Sequence, residues 1–161
     1  MLHLIPFTQN HYQILINWVL DEETMLNFAG IGFQYPLTQQ QLAEYILKYP
    51  ERKLYLALDE EKNPVGYGEI IPQEKNAARL GHLIIGESQK RGLGLGQKLI
   101  EALNKEAKSH LKITNMDLFV LEGNTPAIQC YLKSGFNFIP NDFYITHETK
   151  TYKILKMTIF L

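Results

Sequence analysis

An α+β sandwich on one mixed sheet is the fold class this sequence predicts, and three observations carry it. Leu54, Leu56 and Leu58 alternate with Tyr55 and Ala57, and two more short apolar runs, 65–71 and 78–85, follow after polar turns. Such spacing gives an antiparallel meander. The last of these runs is joined to another, 116–121, through a helix-period segment. A crossover of that kind makes the two strands parallel and the connection right-handed. Finally, a capped helix opening at Asn124 is followed by two closing runs, 136–139 and 152–160. With a first strand near the N-terminus this makes about seven strands, mostly antiparallel, with one central parallel pair.

In chain order, Leu2 to Phe7 reads as that first strand, with Pro6 suiting an edge or a strand end. Thr8 is placed to cap a helix that carries Ile14, Leu15, Trp18 and Val19 on one face. After Asp21, Glu22 and Glu23 a helical or irregular piece reaches Ala29, and Gly30, Gly32 and Pro36 then break the chain. Thr38 and Gln41 form a capping-box pair for a helix ending at about Tyr49, closed by Pro50. Pro126 occupies the first turn of the helix opened by Asn124, where a missing N–H costs least. Gly135 fits the left-handed position just past that helix's end. Residues 140–150 are polar and are expected to form a loop between the two closing strands.

The 161 residues, 45% of them hydrophobic, suffice for one buried domain spanning 1–161. A formal net charge of −1 excludes a basic nucleic-acid footprint. The single cysteine, Cys130, excludes an internal disulfide framework. No apolar run nears the ~20 residues a membrane helix needs, and the N-terminus lacks the charged head and apolar core of a signal peptide. The expectation is a cytoplasmic monomer or homodimer with neither nucleic-acid nor membrane partner. No His/Cys cluster has metal-ligand spacing, so no metal is expected.

Chemistry concentrates in Arg91, Gly92, Leu93, Gly94, Leu95, Gly96 and Gln97. They lie between the strand-like run Leu83-Ile84-Ile85 and a helix on which Leu95, Leu99, Leu103 and Ala107 fall four apart. Strand, glycine loop and helix together make a phosphate cradle. The first helical turn has unpaired amides and the positive end of the dipole, and glycines admit positive φ and close approach of an anion. A dinucleotide fingerprint fails, because Gln97 or Leu99 stands where its third glycine belongs, and no P-loop can be drawn. The pattern [QR]-x-x-G-x-[GA] fits, on Arg91, Gly94 and Gly96.

One strand downstream, residues 124–136 fit N-x-x-A-x-x-x-Y-x-x-x-G-F on Asn124, Ala127, Tyr131, Gly135 and Phe136. The two motifs in this order resemble the signatures of the GNAT superfamily of acetyl-CoA-dependent N-acetyltransferases, over nearly the whole chain. Ile5-Pro6-Phe7 with Trp18 is similar to the branch that holds the ribosomal-protein N-terminal acetyltransferases. The resemblance implies a GNAT fold with helices on both faces of the sheet. It implies acetyl-CoA as co-substrate, and direct attack in a ternary complex by an amine of a small molecule, a protein N-terminus or a lysine. It assigns the pyrophosphate to the 91–97 loop and the pantetheine to an opening beside Leu83, Ile84 and Ile85, one of whose amides meets the thioester carbonyl. Asn124, Ala127 and Tyr131 complete that donor site. The strand bulge is expected two residues beyond His82. A non-catalytic acetyl-CoA-binding module of the same fold is the alternative.

Tyr131 matches the family's general acid, and a phenol with pKa about 10 keeps its proton at neutral pH. Its helix face, shared with Ala127 and Ile128, fits a core residue equally well. Asn124 reads both as a helix cap and as a pantetheine ligand. Where relatives carry a glutamate base, this chain has Arg79 and Leu80 before the loop and Phe119 after it. His82 and Glu69 remain as candidate bases, against a hydrogen-bonded structural histidine and a solvated glutamate, with water or a neutral amine as further options. Cys130 would serve a ping-pong route only with a histidine beside it; a helix cysteine is ordinarily a small buried hydrophobe. Asp21, Glu22 and Glu23 either rim the acceptor site or form an exposed turn.

Overall fold

The computed structural model describes residues 1–87 and 92–161, so the assignment of Arg91 to the pyrophosphate lies outside the described residues. Strand β1 (His3–Pro6) leads through a short 3-10 turn into helices α1 (Tyr12–Trp18), α2 (Glu22–Ala29) and α3 (Gln39–Lys48). Strands β2 (Lys53–Leu58), β3 (Pro64–Pro72) and β4 (Ala77–Ile85) form the meander. Helix α4 (Leu95–His110), β5 (Asn115–Leu121), α5 (Thr125–Lys133), β6 (Asn137–His147) and β7 (Lys150–Phe160) complete the chain. The seven strands lie in the order β1-β2-β3-β4-β5-β7-β6. Only β4 and β5 run parallel, across the α4 crossover.

Helices cover both faces, because each carries an apolar stripe that needs the sheet to bury it. On one face Leu99, Ile100, Leu103 and Ala107 of α4 pack on Ala57, Ile70, Ala78, Leu80, Met116 and Leu118. On the other, Leu15, Trp18, Met25, Phe28 and Leu42 from the first three helices close over Leu56, Tyr67 and Ile84. Local chemistry fixes the helix starts: Asp21 Oδ1 accepts from the Thr24 amide at 2.7 Å, and Thr38 Oγ1 from the Gln41 amide at 3.2 Å. Thr8 precedes only the 3-10 turn, which leads into the short α1.

Two features depart from the sequence expectation. Residues 140–150 are not a loop: β6 continues to His147 and pairs with β7 to its tip, His147 opposite Lys150. Pro140 cannot donate to a ladder, which hides the strand in the sequence. The side-chain amide of Asn141 stands in for backbone there, donating to Ile154 O at 2.7 Å and accepting from the Lys156 amide at 3.0 Å. The β4 bulge also lies earlier than expected. Tyr67 pairs with Ile84 but Glu69 with Gly81, so His82 and Leu83 together oppose Gly68. His82 itself takes φ +47°, in the left-handed region.

Strand β4 ends against α1. The Gly86 amide donates to Val65 O at 2.8 Å, and a Cβ on Gly86 would stand 2.5 Å from Trp18 Cε2. An indole ring cannot bend away, so Gly86→Ala is expected to cost about 1–3 kcal/mol of stability. Urea unfolding followed by far-UV circular dichroism checks this, and an unchanged midpoint would show that α1 yields freely.

Candidate active site

The bulge decides which way His82 faces. Before it, Ala78 and Leu80 pack into the α4 core; after it, Leu83 and Ile85 do so, and Ile84 joins the opposite core. One extra residue reverses the alternation of the strand. His82 is thereby turned to the face of α2 and α3, where its ring lies 5.6, 5.4 and 5.6 Å from the rings of Phe28, Phe33 and Tyr45. Gly68 permits the arrangement, since a Cβ there would stand 2.7 Å from Leu83 Cδ2 and 2.6 Å from Leu103 Cδ1.

On the same face, one strand over, Glu69 is fully buried. A buried carboxylate persists only with its lone pairs satisfied. Here Glu69 Oε2 lies 2.7 Å from His82 Nδ1 and accepts from Tyr67 Oη at 2.8 Å, while Oε1 accepts from Tyr45 Oη. Burial, and then the Glu69 charge, raise both phenols well above the ordinary tyrosine range, so both stay protonated donors. Arg52 Nη1 in turn donates to Tyr45 Oη at 2.6 Å, its guanidinium 3.8 Å from the centre of the Tyr49 ring. With Glu69 accepting at Nδ1, the hydrogen of a neutral His82 belongs on Nδ1 and the lone pair on Nε2. Nε2 faces Gly32, where a Cβ would stand only 3.4 Å away.

Strands β4 and β5 pair only from Ala77 with Asn115 to Leu80 with Leu118, and then part. Into the gap opens a groove of about 480 Å³. Its walls carry Leu83, Ile84, Ile85, Gly92, Gly94, Gly96, Gln97, Asn124, Ala127 and Tyr131, all expected at the donor site. Gly92 and Gly94 take φ of +83° and +80°, the latter as the cap of α4. A Cβ on Gly96 would stand 2.9 Å from Cys130 Sγ, so this glycine lets α4 and α5 approach. Leu93 is exposed and Leu95 packs against the core; neither lines the groove. Asn124 combines both of its readings, lining the groove while its Oδ1 accepts from the Ala127 amide at 3.4 Å.

A second cavity, about 300 Å³, lies on the His82 side. It shares Asn27, Phe28, Leu83 and Tyr131 with the groove, so the two meet at Tyr131. The Tyr131 ring packs edge-on to Phe136, and its hydroxyl has no hydrogen-bond partner among the described residues. Burial raises its pKa above the ordinary phenol value, which keeps the proton on oxygen. Cys130 also lines the groove, but burial raises its thiol too, and His82 borders the other cavity. Asp21 is spent as the α2 cap, and Glu22 and Glu23 are exposed. At the hairpin tip Glu22, His147 and Glu148 bring ligand-type atoms within 4.8 Å of one another, a grouping that sequence spacing does not disclose.

The sequence reading offered His82 and Glu69 as alternatives; the fold joins them in one pair. It missed Tyr45, Tyr67, Arg52 and Gly32. Tyr67 was within reach, since a strand places residues two apart on one face, beside Glu69. Nothing in the sequence links Tyr45, Arg52 or Gly32 to β4.

A model of the GNAT acetyltransferase family matches residues 13–136. The chain belongs to that family and is an acetyl-CoA-dependent N-acetyltransferase, which moves an acetyl group from acetyl-CoA to an amine. Among solved structures it is similar to the spermidine N-acetyltransferase of Vibrio cholerae in complex with CoA and spermine, with TM-score 0.82 and 18% identity over 99% of this chain and 95% of that one. It is also similar to the aminoglycoside acetyltransferase AAC(6')-Ib in complex with coenzyme A, with TM-score 0.77 and 18% identity over 99% and 95%. At such identities the likeness is one of fold.

Acetyl-CoA is expected to raise the melting temperature, as any ligand of the native state does. Gly94→Val forces a β-branched residue to φ +80° and fills the cradle, at a cost of about 1–2 kcal/mol in the free protein. Thermal-shift titration is expected to show that the acetyl-CoA response is lost in this variant. A full response would remove the loop from the donor site.

Proposed function

We propose that the chain acetylates a small primary amine by direct attack in a ternary complex, with His82 as general base, Glu69 as its positioning residue and Tyr131 as general acid. The meeting of the two cavities at Tyr131 and Leu83, with His82 on the wall of the second, supports this reading most directly. Acetyl-CoA, when bound, supplies the acetyl thioester. The amides at the start of α4 and of the glycine loop would hold its pyrophosphate, and the gap between β4 and β5 its pantetheine arm. An amide among Leu83, Ile84 and Ile85 would face the carbonyl oxygen as charge develops there.

His82 takes the acceptor's proton at Nε2. Its Nδ1–H stays on Glu69, whose charge favours the imidazolium that forms. Tyr67 and Tyr45 keep that carboxylate from turning, and Arg52 keeps Tyr45 in place. Tyr131 gives its phenolic proton to the departing thiolate. A cavity of about 300 Å³ suits a small amine, and the structures to which the chain is similar are named for enzymes acting on spermidine and aminoglycosides.

Release of CoA thiol from acetyl-CoA, screened over primary amines, tests the reading. Tyr131→Phe keeps the ring and removes the proton; kcat is expected to fall roughly 10²-fold with little change in acetyl-CoA binding. An unchanged kcat would leave the thiolate to solvent.

His82→Gln is expected to abolish the acceptor-independent ascending limb of the kcat/KM pH profile and to lower kcat/KM ~10²-fold or more. Glu69→Gln is expected to retain the limb but lower kcat with little change in KM, because the imidazole loses the partner that fixes its tautomer and orientation. Survival of the limb in His82→Gln, or an unchanged kcat in Glu69→Gln, would exclude the pair.

A further inference from the structure

The cavity that receives the acceptor has an unusual charge balance for an enzyme whose substrate arrives as an ammonium ion. Two guanidiniums, Arg52 and Arg79, line it. Glu69, which borders both tyrosines and His82, already accepts from three donors. Arg52 makes its hydrogen bond to a phenol and stacks over Tyr49, and its buried Nε has no partner. Arg79 has neither an ion pair nor a hydrogen bond among the described residues; its guanidinium lies 5.4 Å from the centre of the Phe119 ring. Asp117, opposite Arg79 in register, is engaged elsewhere, 3.6 Å from Lys156 Nζ and accepting from Asn115 Nδ2 at 3.3 Å. Lys156, 5.9 Å from the same Phe119 ring, is the partner of Asp117 and does not line the cavity. Among the described residues that line the cavity, two guanidiniums therefore stand with no carboxylate.

Beside Asn27, His82 and Tyr131 the rest of the wall is largely apolar, with Leu26, Ile71, Leu118, Val120, Ile145 and Ile154. Parity again explains the placement. Arg79 and Gly81 precede the bulge and His82 is its first residue, yet all three border this cavity. The base and the guanidinium thus share one face, separated only by a glycine.

We propose that the acceptor is an amphiphilic small molecule whose primary amine is accompanied by an acidic oxyanion, a carboxylate or a phosphonate, held by Arg79 and Arg52 while the amine reaches His82. The proposal rests on the reading of the second cavity as the acceptor site and narrows its substrate class. Guanidinium forks match planar carboxylate and phosphate-type oxygens, and a charge-assisted pair in a half-buried site is stronger than a neutral one. A polyamine would instead set its further ammonium groups against the two guanidiniums, a repulsion that discriminates by itself.

Paired acceptors test this. Leucine is compared with 3-methylbutylamine, phenylalanine with 2-phenylethylamine, and 2-aminoethylphosphonate with ethylamine; spermidine serves as the polycation. CoA thiol release is expected to favour the acid-bearing member by roughly 10- to 100-fold in kcat/KM. The carboxylate and phosphonate pairs show which oxyanion fits. In Arg79→Gln that ratio is expected to collapse through KM, and in Arg79→Lys to recover in part. Comparing ratios between enzymes cancels the differing basicity of the amines. Preference for spermidine or for the decarboxylated amines, or a ratio unmoved in Arg79→Gln, overturns the proposal and leaves acetyl transfer intact. If no amine releases thiol, a melting shift by leucine or 2-aminoethylphosphonate in the presence of CoA, lost in Arg79→Gln, still supports the oxyanion site while the transfer reading falls. Absence of both turnover and shift overturns it.

Discussion

Everything at the centre of this molecule depends on one buried carboxylate being satisfied. Glu69 lies fully inside, where an unpaired charge costs several kcal/mol. Two phenols and an imidazole answer it, and each is delivered by a different route: Tyr67 from its own strand, Tyr45 from α3, and His82 from the bulged neighbour. The first three helices are therefore more than a cover for the sheet. They bring the aromatic rings that pack around His82 and the hydroxyl that holds the second oxygen of Glu69.

The bulge links this pair to the groove between β4 and α5. A residue in the left-handed region costs about 1–3 kcal/mol unless the surroundings impose it, and histidine is among the side chains that tolerate it best. Here the same extra residue turns His82 toward Glu69 and lies just beyond the point where β4 parts from β5. A regular strand would send His82 beneath α4. One irregularity thus sets His82 on one side of the sheet and leaves backbone open on the other, with Tyr131 where the two spaces meet.

Several chemistry-bearing residues are absorbed by structure. Asp21 and Thr38 terminate helices, and Asn141 repairs a ladder that Pro140 interrupts. Cys130 fills the contact between α4 and α5 against Gly96, with its thiol held protonated by burial. Asn124 does two things at once, because a cap uses one side-chain oxygen and leaves the rest of the residue facing the groove.

What the sequence by itself determined was local. Strand alternation, the glycine loop, the capped helices and the α4 crossover are properties of neighbouring residues, and they sufficed for the sheet, its parallel pair and most of the residues that line the groove beside it. Tyr131 was legible through its spacing from Asn124 and Gly135. What only the tertiary structure decided was parity and partnership. A one-residue bulge leaves no mark in composition yet reverses every later side chain of the strand, so His82 and Glu69 looked like separate candidates. The hairpin of β6 and β7 was hidden for a related reason, its ladder being completed by a side chain rather than by backbone. Tyr45 lies on α3, Arg52 in the turn before β2 and Arg79 on β4, and the convergence of the first two with β4 is a long-range contact that no local pattern encodes.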